Sequence, residues 1–273
     1  MANETYARMT IAHSNKVNPT DVTAIVTSGL TTQTGFPASN LEFEDPWTIM
    51  KTATITPGPS VPIIEHQFAA SQSFRIAGVI NHNLRTAGYI SVDFEYWTGS
   101  AWSLLGFTNV RPDDGDLLAG WTNVVSSTRW RIKLPTAASN FFIGSIFWGA
   151  RTVLEQNPTA AGVIQTREAP FLVEQSAGGA KHVTSGANKR SGILEATWSR
   201  GMPDDVKFFA ELGKYELLGV LSPEYADFGS SGSFGQEIFW GYVVNRVMSP
   251  RGPGNSTDLN YKYDMTLSME GAV

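Results

Sequence analysis

Three stretches of this chain alternate apolar and polar residues without a break, and a period of two leaves little choice of fold. In YISVDFEYW (89–97), Ile90, Val92, Phe94 and Tyr96 share one face, and Ser91, Asp93 and Glu95 share the other. In TRWRIKL (128–134), Trp130, Ile132 and Leu134 oppose Arg129, Arg131 and Lys133. YKYDMTLSME (261–270) sets Tyr261, Tyr263, Met265, Leu267 and Met269 against Lys262, Asp264, Thr266, Ser268 and Glu270. Successive side chains of a strand point to opposite faces, so this pattern predicts half-buried strands of antiparallel sheets. Further strands are expected at 22–28, 61–68, 73–82, 141–149, 192–199 and 237–247. The fold class is therefore mainly β.

One segment breaks the period. MPDDVKFFAELGKYE (202–216) carries Pro203, Asp204 and Asp205 where a helix begins and Gly213 where it ends. These are start and stop signals, and Val206, Phe209, Ala210 and Leu212 form the expected apolar stripe. Residues 150–191 change character again and are rich in Gly, Ala, Ser, Asn and Pro. The run 174–192 lacks a core pattern and reads as a flexible loop or arm. The domain boundary is placed near 151, giving domains 1–150 and 151–273.

A chain of 273 residues has room for two domains, each with its own core. It has no cysteine, which removes disulfides, thiolate metal sites and cysteine nucleophiles. The net charge of −5 comes without a basic stripe, so nucleic-acid recognition lacks its electrostatic driver. Charged residues are 16% and aromatics 11%, a balance that suits protein contact faces. MANETYARMTIAHS has no basic start followed by an apolar run, and no stretch reaches a membrane span. A chain made in a cytoplasm and soluble there is the expectation.

Catalytic signatures are sparse. His13, His66, His82 and His182 have no metal-type spacing, and no phosphate loop, nucleophile elbow or dinucleotide fingerprint occurs. GSSGSFG (229–235) lacks a phosphate-loop lysine and reads as a hairpin. PDDGD (112–116) sets Asp113, Asp114 and Asp116 around Gly115. A solvated turn is the reading there, with calcium the alternative. A glycosidase carboxylate pair has no sequence spacing to identify it. No catalytic residue, cofactor or metal ligand is assigned, and the chain is read as no enzyme.

The stretch GFPASNLEFEDPWTIMKT (35–52) poses the sharpest question. Glu42, Glu44, Asp45 and Trp47 either face a ligand or form a corner in which Trp47 plugs the core. Trp47 follows Pro46 and begins an apolar run, which favours the plug; ligand stacking is the alternative. In VINHNLRTAG (79–88), Asn81, His82 and Asn83 are expected to cap backbone groups.

These motifs carry a resemblance. Gly35, Phe36, Pro37, Asn40, Leu41 and Trp47, then His82, Asn83 and Leu84 ahead of ISVDFEYWTGSAWSLL, resemble the discoidin-type jelly-roll module of many tailed-phage virion proteins. The match covers about residues 20–150. In that family the Trp and the H-N-L turn are structural; the residues after Trp47 here, WTIMK, depart from its pattern. The second half resembles distal-tail and minor-tail proteins in the order of RSGILEATWSRGMPDDVKFFAEL, with Trp198 and Arg200, then FGQEIFWGYVVNRVMSP, then YKYDMTLSMEG with Glu270. The resemblance implies an N-terminal jelly-roll sandwich and a C-terminal tail-tube-like barrel or sandwich with one short helix. It implies a virion structural protein of a tail tip or baseplate, assembled in the host cytoplasm. Its expected partners are copies of itself in a ring, the tail tube and tail-tip or hub proteins, with no nucleic-acid sequence recognition. The alternative function is a carbohydrate- or host-receptor-binding tail protein, with a host surface glycan as partner.

Overall fold

The computed structural model describes residues 9–55, 61–110, 114–135, 139–155, 163–168, 171–175, 181–185, 191–201, 203–213, 216–221, 238–250 and 263–271. The protein is mainly β and its strands pair antiparallel. It divides into two compact units, Met1–Val153 with Gly219–Ile238, and Leu154–Leu218 with Phe239–Val273.

The first unit contains β1 (Thr10–His13), β2 (Val22–Ser28), β3 (Leu30–Thr32), a 3-10 helix (Ala38–Glu42), β4 (Met50–Ile55) and β5 (Ile63–His82). β6 (Ser91–Trp97), β7 (Trp102–Asn109), β8 (Leu117–Lys133) and β9 (Phe142–Val153) follow. β5 and β8 are long enough to serve two sheets. Their first shared stretch, around Ile64 and Ile132, lies in the order β2-β5-β8-β6-β7. After a register shift between Gln67 and Gln72 in β5, the same strands continue beside β9. Such irregularities bend a strand, and a bent strand can switch sheets at a sandwich corner. The two runs predicted at 61–68 and 73–82 are one strand for this reason. Ala69, Ala70 and Ser71, exposed at the bend, are small enough to lie there without a core contact.

Residues from both stretches belong to one buried core, so this unit is a β-sandwich. Its centre is aromatic: Phe74 lies 4.8 Å from Trp130, Trp130 lies 5.6 Å from Trp148, and Phe94 meets Trp148 edge-on at 5.8 Å, all between ring centroids. Trp130 and Trp148 are fully buried. Val92 and Phe94 face inward as the alternation predicts, but Ile90 lies outside β6 and is exposed.

The outer face of the first sheet is more closed than a solvated polar face. In register across five strands stand Val26, Glu65, Arg131, Glu95 and Leu104. Arg129 donates to both carboxylate oxygens of Glu65, at 2.6 and 3.1 Å, and Arg131 donates to Glu95 at 2.5 Å. Lys133 adds a contact to Glu95 at 3.6 Å. The guanidinium of Arg131 also lies 4.0 Å from the Trp102 ring centroid, and Arg129 lies 4.9 Å from that of Trp97. Stacked arginine stems and indoles cover the acids, which is why Glu65 and Glu95 are buried on the polar face.

The second unit holds β10 (Val163–Glu168), β11 (Phe171–Gln175), β12 (Lys181–Ser185) and β13 (Ser191–Gly201), then α1 (Pro203–Glu211). β14 (Leu217–Leu221), β15 (Ile238–Pro250) and β16 (Tyr263–Gly271) complete the chain. Gly219, Val220 and Leu221 of β14 pair with β1 in the first unit's own set of residues. β10, β13, β16 and β15 pair in that order. Met265, Leu267 and Met269 are buried and Glu270 is exposed, as the alternation predicts.

Two expectations change here. Within the run 174–192, Lys181–Ser185 is not loop but a strand, paired with β11 in register from Gln175↔Lys181 to Phe171↔Ser185; 176–180 and 186–190 lie outside the described residues. The helix buries Asp205, Phe209 and Leu212, while Val206 is half-buried and Ala210 exposed. Asp205 belongs to the buried stripe because its carboxylate accepts the Glu155 N–H at 3.0 Å. At the other end Arg246 of β15 donates to the carbonyls of Phe209 (3.0 Å) and Leu212, which would otherwise end the helix unpaired.

Candidate functional site

The corner at residues 33–51 is irregular backbone fixed by side chains. Gly35 takes φ 84°, a left-handed conformation that favours glycine, and starts the turn into the 3-10 helix. Asn40 donates to the Ile49 carbonyl at 2.8 Å and closes the loop on itself. Lys51 places its ammonium 4.3 Å from the Phe36 ring centroid. Leu41 is the buried anchor.

The next turn is built on Asp45. One carboxylate oxygen accepts the Trp47 N–H at 3.0 Å and the other accepts the Thr48 hydroxyl at 3.0 Å. Pro46 is buried, and its carbonyl accepts from the Asn81 side-chain amide at 2.7 Å. A Cβ on Gly144 would collide with that carbonyl and fall 2.9 Å from Asn81 Cβ, so glycine on β9 makes the seat. Ser145 donates to the Phe43 carbonyl at 3.4 Å.

The seat belongs to Pro46, and this overturns the reading of Trp47 as a core plug. Trp47 is 47% exposed and Phe43 45% exposed, on a turn whose backbone is tied down on both sides of them. Asp45 is exposed beside them, and Glu42 and Glu44 are half-buried. Phe43 was not singled out from sequence; nothing in LEFEDPW tells which aromatic faces water.

The H-N-L turn caps backbone groups as expected. The His82 Nδ1 accepts the Leu84 N–H at 3.3 Å, and the Asn83 side-chain oxygen accepts the Phe142 N–H at 2.8 Å. Asn81 sits at φ 52° and donates its N–H to Asp116 at 2.8 Å. Asp114 accepts the Arg85 N–H at 2.6 Å and bonds the N–H and hydroxyl of Thr86. Asp114 and Asp116 therefore hold the Asn81–Thr86 turn; Asp113 lies outside the described residues. Among the described residues no group of three or more His, Asp or Glu side chains could hold a metal ion, and no helix is long and apolar enough to cross a membrane. The glycine-rich 229–235 also lies outside them. Trp198 and Arg200 lie on β13 and Glu270 on β16, all in the second unit.

His66 lies in the core on β5. Burial pushes its pKa down to about 4, against smaller opposing pulls from the Leu41 backbone and Glu65. Its Nδ1 accepts the indole N–H of Trp148 at 3.4 Å. The imidazole is thus neutral at pH 7.

No family model matches this sequence, and no curated protein matches it. Solved structures resemble it in part. A family 32 carbohydrate-binding module from C. perfringens NanJ in complex with galactose is 10% identical over 47% of this chain and 93% of its own, with a TM-score of 0.38. The CBM32-1 and CBM32-2 domains from Clostridium perfringens ZmpB are 11% identical over 55% of this chain and 42% of theirs, with a TM-score of 0.42. A Streptococcus pneumoniae fucose binding module is 8% identical over 50% of this chain and 95% of its own, with a TM-score of 0.39. At these scores the likenesses carry no inference about what this chain binds, and none of them bears on the tail resemblance.

Proposed function

We propose that the first unit is a carbohydrate-binding module, the alternative drawn from the sequence, with Trp47 and Phe43 as its contact surface. The observation that carries this reading is the exposure of two aromatic side chains on a turn locked by Asn40, Asp45, Asn81 and Ser145. A pyranose ring has an apolar C–H face and a rim of hydroxyls. An indole offers a large apolar surface that loses little rotamer entropy on contact. Asp45 spends one acceptor position on each oxygen inside the turn, and a carboxylate has about four, so it retains capacity for sugar hydroxyls. A pre-tied turn also lowers the ordering cost of binding.

No feature of the described residues favours a tail-ring role over this one, and the ring, tail-tube and virion expectations stay with the resemblance. The test is a titration of the protein with neutral and acidic mono- and oligosaccharides, read by tryptophan fluorescence and by calorimetry. At least one sugar should give a saturable signal in both, with a Kd between micromolar and millimolar. Flat titrations across the panel would contradict the reading.

A further inference from the structure

We propose that the candidate site takes sugars that carry a free amine, held as the ammonium by Asp45 beside the exposed Trp47, and turns away acidic sugars. This rests on the carbohydrate-binding reading and names the class of saccharide within it.

Asp45 is fixed where a cation resting on the indole would need it. Its Oδ1 accepts the N–H of Trp47 itself at 3.0 Å, and its Oδ2 accepts the Thr48 hydroxyl at 3.0 Å. The carboxylate is thereby anchored to the backbone of the residue whose side chain is exposed, and Asp45 is exposed as well. Neither donor carries a charge, and about half of the acceptor positions of the carboxylate stay unused. A sugar hydroxyl could fill one of them, but an ammonium makes a charge-assisted bond there, roughly twice as strong as a neutral one. The π face of an indole also attracts a cation.

The charges around the corner have the matching sign. Residues 33–50 contain Glu42, Glu44 and Asp45 and no Lys, Arg or His. Lys51 follows them, with its ammonium laid over the Phe36 ring. The Asn81–Thr86 turn, tied to the corner through Asn81 and the Pro46 carbonyl, brings Arg85 but is itself held by Asp114 and Asp116. β2 and the stretch of β9 from Phe142 to Ala150 bring no charged residue. Glu42, Glu44, Asp45, Asp114 and Asp116 therefore stand against Lys51 and Arg85 alone on the elements that build the corner. A field of this sign draws an ammonium in and opposes a uronate or a sulfate.

Matched sugars that differ only at the amine test this. The probes are the β-1,4-linked tetramers of glucosamine and N-acetylglucosamine, then galactosamine beside N-acetylgalactosamine, and a galacturonate tetramer. Each is titrated calorimetrically into the whole protein at about pH 6, where a sugar amine is protonated. In at least one pair the amine should bind about fivefold tighter than its acetylated twin at low salt, the gain available from an exposed ion pair. That gap should close at about 0.5 M salt, where the screening length is only a few ångströms. The galacturonate tetramer should give no signal. Asp45→Asn keeps an acceptor for the turn and shifts the net charge of −5 by a single unit. It should bring the members of the pair within about twofold of each other, whereas a general attraction of cations to an acidic protein would survive it. Twins of equal affinity in both pairs would overturn the proposal and leave the carbohydrate reading standing. So would binding of other sugars but of neither amine, galacturonate binding as tight as the amine, or a gap that Asp45→Asn leaves unchanged. If that variant does not fold, the matched pairs and their salt dependence decide alone. Flat titrations with every sugar would overturn both.

Discussion

Trp148→Ala should destabilise the first unit by about 3–5 kcal/mol, the usual cost of truncating a fully buried aromatic. The indole is in ring contact with Phe74, Phe94 and Trp130, so its loss opens a cavity at the meeting point of both sheets. It also removes the donor to His66 Nδ1, both rings being fully buried. Trp148→Phe retains most of the volume and isolates the second effect. For a unit of this size the alanine variant should melt roughly 6–20 °C below the parent. Calorimetry of both variants checks this. An alanine variant that melts within a degree or two of the parent would mean that the aromatic centre does not hold the sandwich together.

Acidification is the second large effect. In the unfolded chain His66 takes a proton near 6.5, and in the folded chain only near 4. Between these values the unfolded state binds more protons, so stability rises with pH there and is lost as pH falls from about 6.5 to about 4. A gap of this size is worth roughly 3 kcal/mol, all of it retained above the unfolded value. Urea midpoints at pH 7.5, 5.5 and 4 should fall steeply for the parent. His66→Gln should fall less, by the part that His66 contributes. Parallel lines for the two proteins would show that His66 does not set the acid limit.

The strands with strict alternation were legible because a half-buried strand has no other way to place its residues. TRWRIKL gave an inward Trp130, Ile132 and Leu134, all buried in the structure. The continuity of β5 was hidden, since a strand that crosses between sheets breaks its own period at the bend. Glu65 and Glu95 looked like solvated residues, and only the arginines and indoles above them decide otherwise. At the corner, the capping roles of Asn81, His82 and Asn83 followed from their chemistry. The orientation of Trp47 did not. Pro46 and Trp47 are adjacent and both apolar, and which one enters the core depends on Gly144, about a hundred residues away in sequence and directly under the Pro46 carbonyl. A tryptophan expected in the core thereby becomes the residue on which a ligand is expected to rest.

The central claim is that Trp47 binds and does not hold the fold. Trp47→Ala, compared with the parent for affinity toward the sugar found by titration and for melting temperature, tests it most directly. A surface residue of this kind contributes within about 0.5 kcal/mol to stability, so the melting temperature should stay within a few degrees. Affinity should fall roughly tenfold to a hundredfold, the loss expected for an aromatic that anchors a contact. Unchanged affinity in a folded variant, or a variant that melts as a core deletion does, would contradict the account.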